Sequence, residues 1–149
     1  MVRAFSLTSD SLDYFIGFTL LHAEHTIFVS PWISNVELRF PVNNQLDNRR
    51  TGLLDALEKL DTNVTFVVQS GQEHNDFVTS RLPDHVTTVA VEDLHAKVVV
   101  CDEFAYVGSA NITRGGLRVN REVCKVIENK YQDGITYVAE ELNIFLPKS

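Results

Sequence analysis

Hydrophobic positions in the first half of the chain switch between helical and strand spacing. In residues 10–23 they recur every three or four residues, which predicts an amphipathic helix with Ser9 as its N-cap. Short β-branched and aromatic runs predict strands, and an Asn-rich stretch predicts a long loop. In order, the predicted elements are a helix over 10–23, a strand over 26–30, a loop over 34–50, a helix from Thr51, a strand over 63–69 and a weaker helix over 73–81.

The second half of the chain has the strands closer together. Runs over 86–91, 96–101 and 122–127 predict strands, and apolar residues between Ile135 and Leu146 line a closing helix. Strands that alternate with helices and then cluster are typical of a mixed sheet with helices packed on it. We therefore predict an α/β fold, a mixed β-sheet flanked by helices on both faces, as a single domain over residues 1–149.

The charge distribution limits which ligands the chain can bind and where. The 149 residues carry a net charge of −7, which is not typical of a protein that coats nucleic acid through bulk electrostatics. Residues 1–94 hold thirteen acids and six bases, whereas residues 95–130 hold six bases and four acids. An anionic ligand is therefore expected at the second half.

The two cysteines, Cys101 and Cys124, cannot form a disulfide framework and do not have metal-ligand spacing. They are interpreted as buried strand residues rather than redox groups. The sequence also has no apolar run that approaches the ~20 residues of a membrane span. These features favour a cytoplasmic protein with free thiols and no membrane attachment.

The segment from His95 to Glu122 carries the candidate chemistry. If residues 95–101 form a strand, His95 and Lys97 lie on one face, about 7 Å apart along it. An ammonium group neutralises phosphate oxygens, and an imidazole beside it can attack phosphorus or move a proton. This pair therefore predicts a phosphate site.

Residues after this pair supply further groups for the same site. Gly108 and Ser109 turn the chain, where the Ser109 hydroxyl, backbone amides and the Asn111 amide can hold phosphate oxygens. Ser109 and Asn111 are also ordinary turn formers. Glu122 is a candidate to orient the histidine, although a surface ion pair with Arg118 or Arg121 is the simpler alternative.

The spacing of these residues resembles the HKD motif of the phospholipase D superfamily. The matching residues are His95, Lys97, Asp102, Gly108, Ser109 and Asn111, followed by Thr113-Arg114-Gly115-Gly116-Leu117 and Asn120-x-Glu122. The resemblance implies a phospholipase D-like domain and a covalent phosphohistidine formed on His95. It also implies phosphate binding by Lys97, Ser109 and Asn111, and a hydrogen bond from Glu122 to the histidine. Asp102 and Gly108 would then support the local structure, and neither a metal nor another cofactor is implied.

The chain has one such motif, whereas many members of the superfamily carry two. It therefore resembles the small single-motif nucleases, in which one active site is built across a two-fold homodimer. A C₂ axis would place two copies of His95 face to face, one as nucleophile and one as acid and base. The resemblance thus implies a homodimer.

Residues outside the motif have weaker assignments. Arg114, Arg118 and Arg121 follow the motif and are candidates to contact nucleic acid, and Arg49 and Arg50 are further candidates, with a solvated pair as their simpler interpretation. Trp32, after Pro31, is expected in the core or in dimer packing rather than as a base-stacking platform.

Three functions remain open on the sequence. The first is a metal-independent nuclease that cleaves DNA or RNA. The second is a phosphodiesterase that acts on a phospholipid headgroup or a small phosphodiester. The third is a non-catalytic nucleic-acid-binding module, or a subunit that depends on a partner protein.

Overall fold

The computed structural model describes residues 4–7, 11–113, 116–117 and 123–147. Within these residues, short connections separate four helices and nine strands. The helices are α1 (Leu12–His22), α2 (Leu53–Lys59), α3 (Glu73–Thr79) and α4 (Gly134–Leu142). The strands are β1 (Ala4–Leu7), β2 (His25–Val29), β3 (Glu37–Arg39), β4 (Arg50–Gly52), β5 (Asn63–Gln69), β6 (Val86–Val91), β7 (Val98–Val100), β8 (Phe104–Gly108) and β9 (Cys124–Glu128).

Seven of the described strands form one mixed sheet in the order β1-β9-β8-β7-β2-β5-β6. Strands β2, β5 and β6 are parallel to each other, and helical connections lead from one to the next. Strand β7 is antiparallel to β2, and β8, β9 and β1 continue the antiparallel half. Strand β7 therefore lies where the parallel and antiparallel halves meet.

Side-chain alternation divides the sheet between two cores. In β2, Phe28 faces the core that contains α1 and α2, whereas Ile27 and Val29 face the core that contains α4. Strand β7 alternates in the same way, with Val99 in the first core. Because both faces are covered, the inner strands are continuously apolar. The prediction of a mixed sheet flanked by helices on both faces is confirmed.

The prediction of a long loop over 34–50 is wrong, and so is the helix start at Thr51. Strands β3 and β4 pair antiparallel within this region, with Leu38 opposite Thr51. Gly52 precedes helix α2, so Thr51 belongs to the strand. Strands of three residues are too short to show alternation, and their pairing depends on packing against α1. At Gly17 of α1 a Cβ would lie 2.1 Å from the Arg39 carbonyl oxygen, so glycine permits this close approach.

An ion pair joins the same two elements. Asp13 of α1 is 1% exposed and accepts hydrogen bonds from Arg39 at 2.9–3.2 Å. The sequence pattern placed Asp13 in the first turn of a helix, where it favours the helix dipole. Its burial against Arg39 was not predicted, because the partner lies 26 residues away.

Candidate functional site

Sheet topology brings three separate segments to one edge of the sheet. Val29 pairs with Val98, so the end of β2 lies beside the start of antiparallel β7. Val98 also pairs with Val107, which brings the end of β8 to the same place. The residues that follow β2 and β8 and those that precede β7 therefore meet, together with the carboxyl end of parallel β5. We call this the upper edge of the sheet. In open α/β sheets, ligands bind beyond the carboxyl ends of parallel strands.

A cavity of about 380 Å³ lies at the upper edge. Its wall combines the predicted histidine, lysine and asparagine with residues that follow β2 and β5. The lining residues are Pro31, Trp32, Gln69, Gln72, Asp93, Leu94, His95, Lys97 and Asn111. We call it the His95 cavity.

His95 and Lys97 reach this cavity from an irregular segment and not from a strand. Strand β7 begins at Val98, so the predicted strand over 96–101 is shorter than expected and the alternation argument for this pair does not apply. The Lys97 Nζ atom donates a hydrogen bond to the His95 carbonyl oxygen at 3.3 Å. His95 is exposed and Lys97 is half-buried. Both side chains line the same cavity, as the sequence led us to expect, but the local geometry differs.

A buried serine that the sequence interpretation gave no role lies beside Asn111. Ser30 is 2% exposed and its hydroxyl lies 3.4 Å from the Asn111 Oδ1 atom. The same hydroxyl donates to the Trp32 carbonyl oxygen at 2.6 Å and accepts from the Ile112 backbone N–H at 3.1 Å. Ser30 thus joins the end of β2 to the Asn111 segment. The sequence offered one signal for this role, because Ser30 is a small polar residue at the end of a buried strand, directly before Pro31.

Gly108 and Ser109 shape the upper edge beside the cavity. A Cβ at Gly108 would lie 2.1 Å from the Val123 carbonyl oxygen, so only glycine allows β8 to approach this segment so closely. The Ser109 hydroxyl accepts from the Val123 backbone N–H at 3.0 Å, and the Ser109 N–H donates to the Val123 carbonyl at 3.1 Å. Ser109 is not among the residues that line the His95 cavity. It anchors the start of β9 instead.

Asp102 lies at the opposite end of β7, in the turn to β8. It borders a separate small cavity with Phe18, Thr19 and His22. Its Oδ1 atom is buried and has no hydrogen-bond partner among the described residues. The length of β7 thus separates Asp102 from His95. This position agrees with a structural role for Asp102.

His25, at the start of β2, lies at that opposite end of the sheet, and its pKa depends on the burial and the charges there. Burial lowers the pKa of His25, and the negative charges of Asp102 and Asp133 oppose this effect. The His25 Nε2 atom lies 2.9 Å from the Thr65 hydroxyl. Burial also raises the pKa of the Cys101 thiol, next to Asp102. Cys101 and Cys124 are both buried, as predicted, and they form no disulfide with each other.

Of the predicted arginines, Arg49 and Arg50 are described by the structure, and they do not line the His95 cavity. Arg49 and Arg50 line a different cavity of about 700 Å³, together with Tyr14, Arg39 and Asp47. Arg50 also forms an exposed ion pair with Glu37 at 3.4 Å. Arg114, Arg118, Arg121 and Glu122 lie outside the described residues.

The position of Trp32 in the structure differs from the position that the sequence predicted. Trp32 is 50% exposed and forms part of the wall of the His95 cavity, so the expected core position is wrong. The alternative that the sequence offered, packing in a dimer, stays a prediction. The apolar run that ends at Ser30 made a buried position plausible. Pro31 ends the strand and turns Trp32 outwards.

Metal-binding clusters and membrane-spanning helices are both absent from the part of the chain that the structure describes. There, no three His, Cys, Asp or Glu residues are grouped so that they could hold a metal ion. No helix in the same residues is long and apolar enough to cross a bilayer.

Comparison with known proteins gives a family and a fold. Residues 45–144 match the sequence model of the family described as "Cardiolipin synthase, PLD-like domain". The structure is similar to NucT from Helicobacter pylori, with a TM-score of 0.56 and 12% identity over 88% of this chain and 87% of that chain. It is also similar to a phospholipase D family member, Nuc from Salmonella typhimurium, with a TM-score of 0.59 and 11% identity over 96% of this chain and 90% of that chain. None of the curated protein sequences matches this chain significantly. At these identities the two structural similarities show the fold.

Proposed function

This chain belongs to the phospholipase D-like domain family, and on that premise we propose that it is a metal-independent phosphodiesterase, most specifically a nuclease. The resemblance inferred from the segment between His95 and Glu122 is confirmed at the level of the family and of the fold. The substrate, the mechanism and the oligomeric state are parts of the proposal.

One observation carries the proposal. An exposed imidazole, an ammonium group and a carboxamide, from His95, Lys97 and Asn111, line the same open cavity. Lys97 compensates the negative charge of a bound phosphodiester, and Asn111 offers a hydrogen bond to an oxygen of that group. His95 can then approach phosphorus as the nucleophile.

We propose that hydrolysis proceeds in two displacements. His95 attacks phosphorus, a P–N bond forms, and the bond from phosphorus to the leaving oxygen breaks. The leaving oxygen takes a proton from a second histidine, which then accepts a proton from water as that water attacks the phosphohistidine. The P–N bond breaks, and the released phosphate ester retains the oxygen of the water.

The second histidine is proposed to be the partner subunit's His95, in a homodimer. Among the residues that line the His95 cavity, His95 is the one histidine. His95 also borders a neighbouring groove that contains Leu142, Ile144 and the 76% exposed Phe145. Exposed apolar surface beside the nucleophile is suited to contact with a second copy. Equilibrium sedimentation should therefore show a dimer, and a fully active monomer would contradict this part of the proposal.

The decisive assay is cleavage of labelled single- and double-stranded DNA, and of RNA, in the presence of EDTA. We expect the wild-type protein to cleave nucleic acid, the His95→Ala variant to lose activity, and the exposed-histidine control His85→Ala to remain active. Arrest of activity by EDTA, or equal activity of His95→Ala and wild type, would contradict the metal-independent histidine mechanism.

The description of the matching family favours a second candidate, because it names cardiolipin synthase. In that case the same residues would act on a phospholipid phosphodiester. Assays of one preparation on phospholipid vesicles and on nucleic acid separate the two substrates. If the folded dimer binds DNA but cleaves neither substrate, a non-catalytic binding module is the better assignment.

A further inference from the structure

Trp32 is a large apolar side chain that the proposed hydrolysis does not use. It is the one tryptophan of the sequence, and half of its side chain is exposed in the wall of the His95 cavity. In the same wall, His95 and Lys97 supply the groups proposed to hold the reacting phosphate. Trp32 therefore lies within the reach of whatever is attached to that phosphate.

The backbone around Trp32 is held on both sides by buried polar groups. The Trp32 carbonyl oxygen accepts from the Ser30 hydroxyl at 2.6 Å. Asn75, 2% exposed, accepts from the Ile33 N–H at 2.8 Å and donates to the Pro31 carbonyl oxygen at 2.7 Å. The indole is thus exposed on a fixed backbone. Binding of a ligand to it therefore costs little conformational entropy of the backbone.

We propose that Trp32 is a stacking platform for the nucleobase next to the scissile phosphate, and that the substrate is therefore unpaired nucleic acid. This inference rests on the proposed function and specifies its substrate. A nucleotide carries its base close to its phosphate, as Trp32 lies close to His95 and Lys97 in one cavity. An indole binds the face of any base, and in a paired duplex those faces are already covered by neighbouring bases.

A quaternary ammonium headgroup is the other ligand that an indole face attracts. Sites for such groups surround the cation with several aromatic rings. Among the residues that line this cavity, Asp93 adds a carboxylate and Gln69 and Gln72 add polar amides, but Trp32 is the one Phe, Tyr or Trp, so no aromatic cage can enclose a cation. The cavity is therefore better suited to a base than to a choline group.

Because Trp32 is the single tryptophan, its fluorescence reports directly on this contact. The full-length His95→Ala variant, which does not consume substrate, is titrated with a single-stranded oligonucleotide, an abasic strand of the same length, a blunt duplex and phosphocholine. We expect quenching by the single strand and little quenching by the other three. Adding Trp32→Ala should weaken single-strand binding about 5- to 150-fold, the range of one base–aromatic stack, as measured by anisotropy of a labelled strand.

Two variants distinguish stacking from general damage. Trp32→Phe keeps an aromatic face and should retain most of the affinity. Phe18→Ala removes a comparably exposed aromatic side chain, 41% exposed, beside Asp102 at the other end of the sheet, and should bind as the parent does.

These experiments test base stacking on Trp32 separately from the proposed hydrolysis. Quenching by the abasic strand or by the duplex as strong as that by the single strand overturns the inference, and so does quenching by phosphocholine alone. If the wild type cleaves nucleic acid, Trp32→Ala cleaves it equally well and the single strand causes no quenching, then the stacking platform is wrong and the nuclease proposal stands. Single-strand quenching that depends on Trp32, without cleavage by the wild type, supports the platform while the nuclease fails.

Discussion

The two ends of strand β7 differ although one sequence motif contains both. At its start, His95 and Lys97 lie in an irregular segment and line an open cavity. At its end, Cys101 is buried, and Asp102 has a buried carboxylate oxygen in a tight turn to β8. Three strand residues separate the two ends, so they face opposite edges of the sheet.

This contrast shows that a contiguous motif does not form a contiguous site. The upper edge presents charged and polar side chains to solvent, where a ligand can reach them. At the opposite edge, the buried Asn129 side chain holds the end of β7 by hydrogen bonds to the carbonyl oxygens of Cys101 and Asp133, as buried polar groups generally require. Substitutions at the two edges should therefore affect different observables.

After the loss of activity expected of His95→Ala, the largest expected effect follows loss of the Lys97 ammonium group at the upper edge. We expect Lys97→Met to lower kcat/KM for oligonucleotide hydrolysis about 10²- to 10³-fold, since one donor aimed at a developing anionic oxygen contributes this much. The free energy of unfolding in urea should change by no more than about 0.5 kcal/mol.

Two matched variants sharpen this first prediction. Lys59→Met removes a surface lysine whose ion pair with Asp55 is exposed, and it should leave kcat/KM unchanged. Asp102→Asn, at the opposite edge, should keep kcat/KM within about twofold. A loss of activity in Asp102→Asn that matches that of Lys97→Met would break the contrast between the edges.

The next largest effect should be structural and confined to the opposite edge. Asn129, 6% exposed, donates to the carbonyl oxygens of Cys101 and Asp133 at 2.8 and 3.0 Å and accepts from the Tyr131 N–H at 2.9 Å. Asn129→Ala leaves these groups without their partner and should lower the free energy of unfolding by about 2–4 kcal/mol. Urea denaturation measures this change. Activity at a temperature where the variant stays folded should equal that of the wild type, and a large loss there would contradict the prediction.

The smallest effect concerns pH and the half-buried His25. Its pKa is lowered in the folded state by burial, so the unfolded chain binds a proton first as the pH falls. Stability from the neutral imidazole is complete above the unfolded pKa of about 6.5 and is lost as the pH falls from there towards the lower folded value. One proton limits the slope to about 1.4 kcal/mol per pH unit, and solvent screening of a half-exposed group keeps it well below that.

Urea denaturation between pH 7.5 and pH 5 tests this sign. His25→Gln should flatten the decline in stability, whereas the exposed-histidine control His85→Gln should leave it unchanged. A wild-type protein whose stability rises as the pH falls through this range would have the opposite linkage.

The elements with strong periodicity were predictable from the sequence. Strands β5 and β6 have the predicted bounds, 63–69 and 86–91, because β-branched and aromatic residues dominate both segments. Helix α1 lies within its predicted range, and its buried Leu12, Ile16 and Leu20 recur every four residues. Its exposed face carries Tyr14 and Phe18, so the helix is less amphipathic than predicted. Strands β3 and β4 were missed, since three residues carry no period. Strand β1 was also missed, and it exists by pairing with β9.

The candidate site divides in the same way. The identities and spacing of His95, Lys97 and Asn111 were sufficient to predict the family, and the phosphate site that they indicate stays a prediction. The contacts of Ser30 with the Ile112 N–H and of Asn75 with the Ile33 N–H were not predictable, because each joins atoms more than forty residues apart. Trp32 is turned outwards locally at Pro31, and the Asn75 contacts then fix the backbone on both sides of it.

The sequence by itself determined which chemical groups this protein has and which segments are apolar enough to form its sheet, because both follow from local side-chain identity and spacing. Only the tertiary structure decided which groups share a cavity. Strand order and register bring Trp32, His95 and Asn111 to one edge and leave Asp102 at the other. These pairings form between segments far apart along the chain, and their geometry is fixed by the packing of the two cores on the sheet.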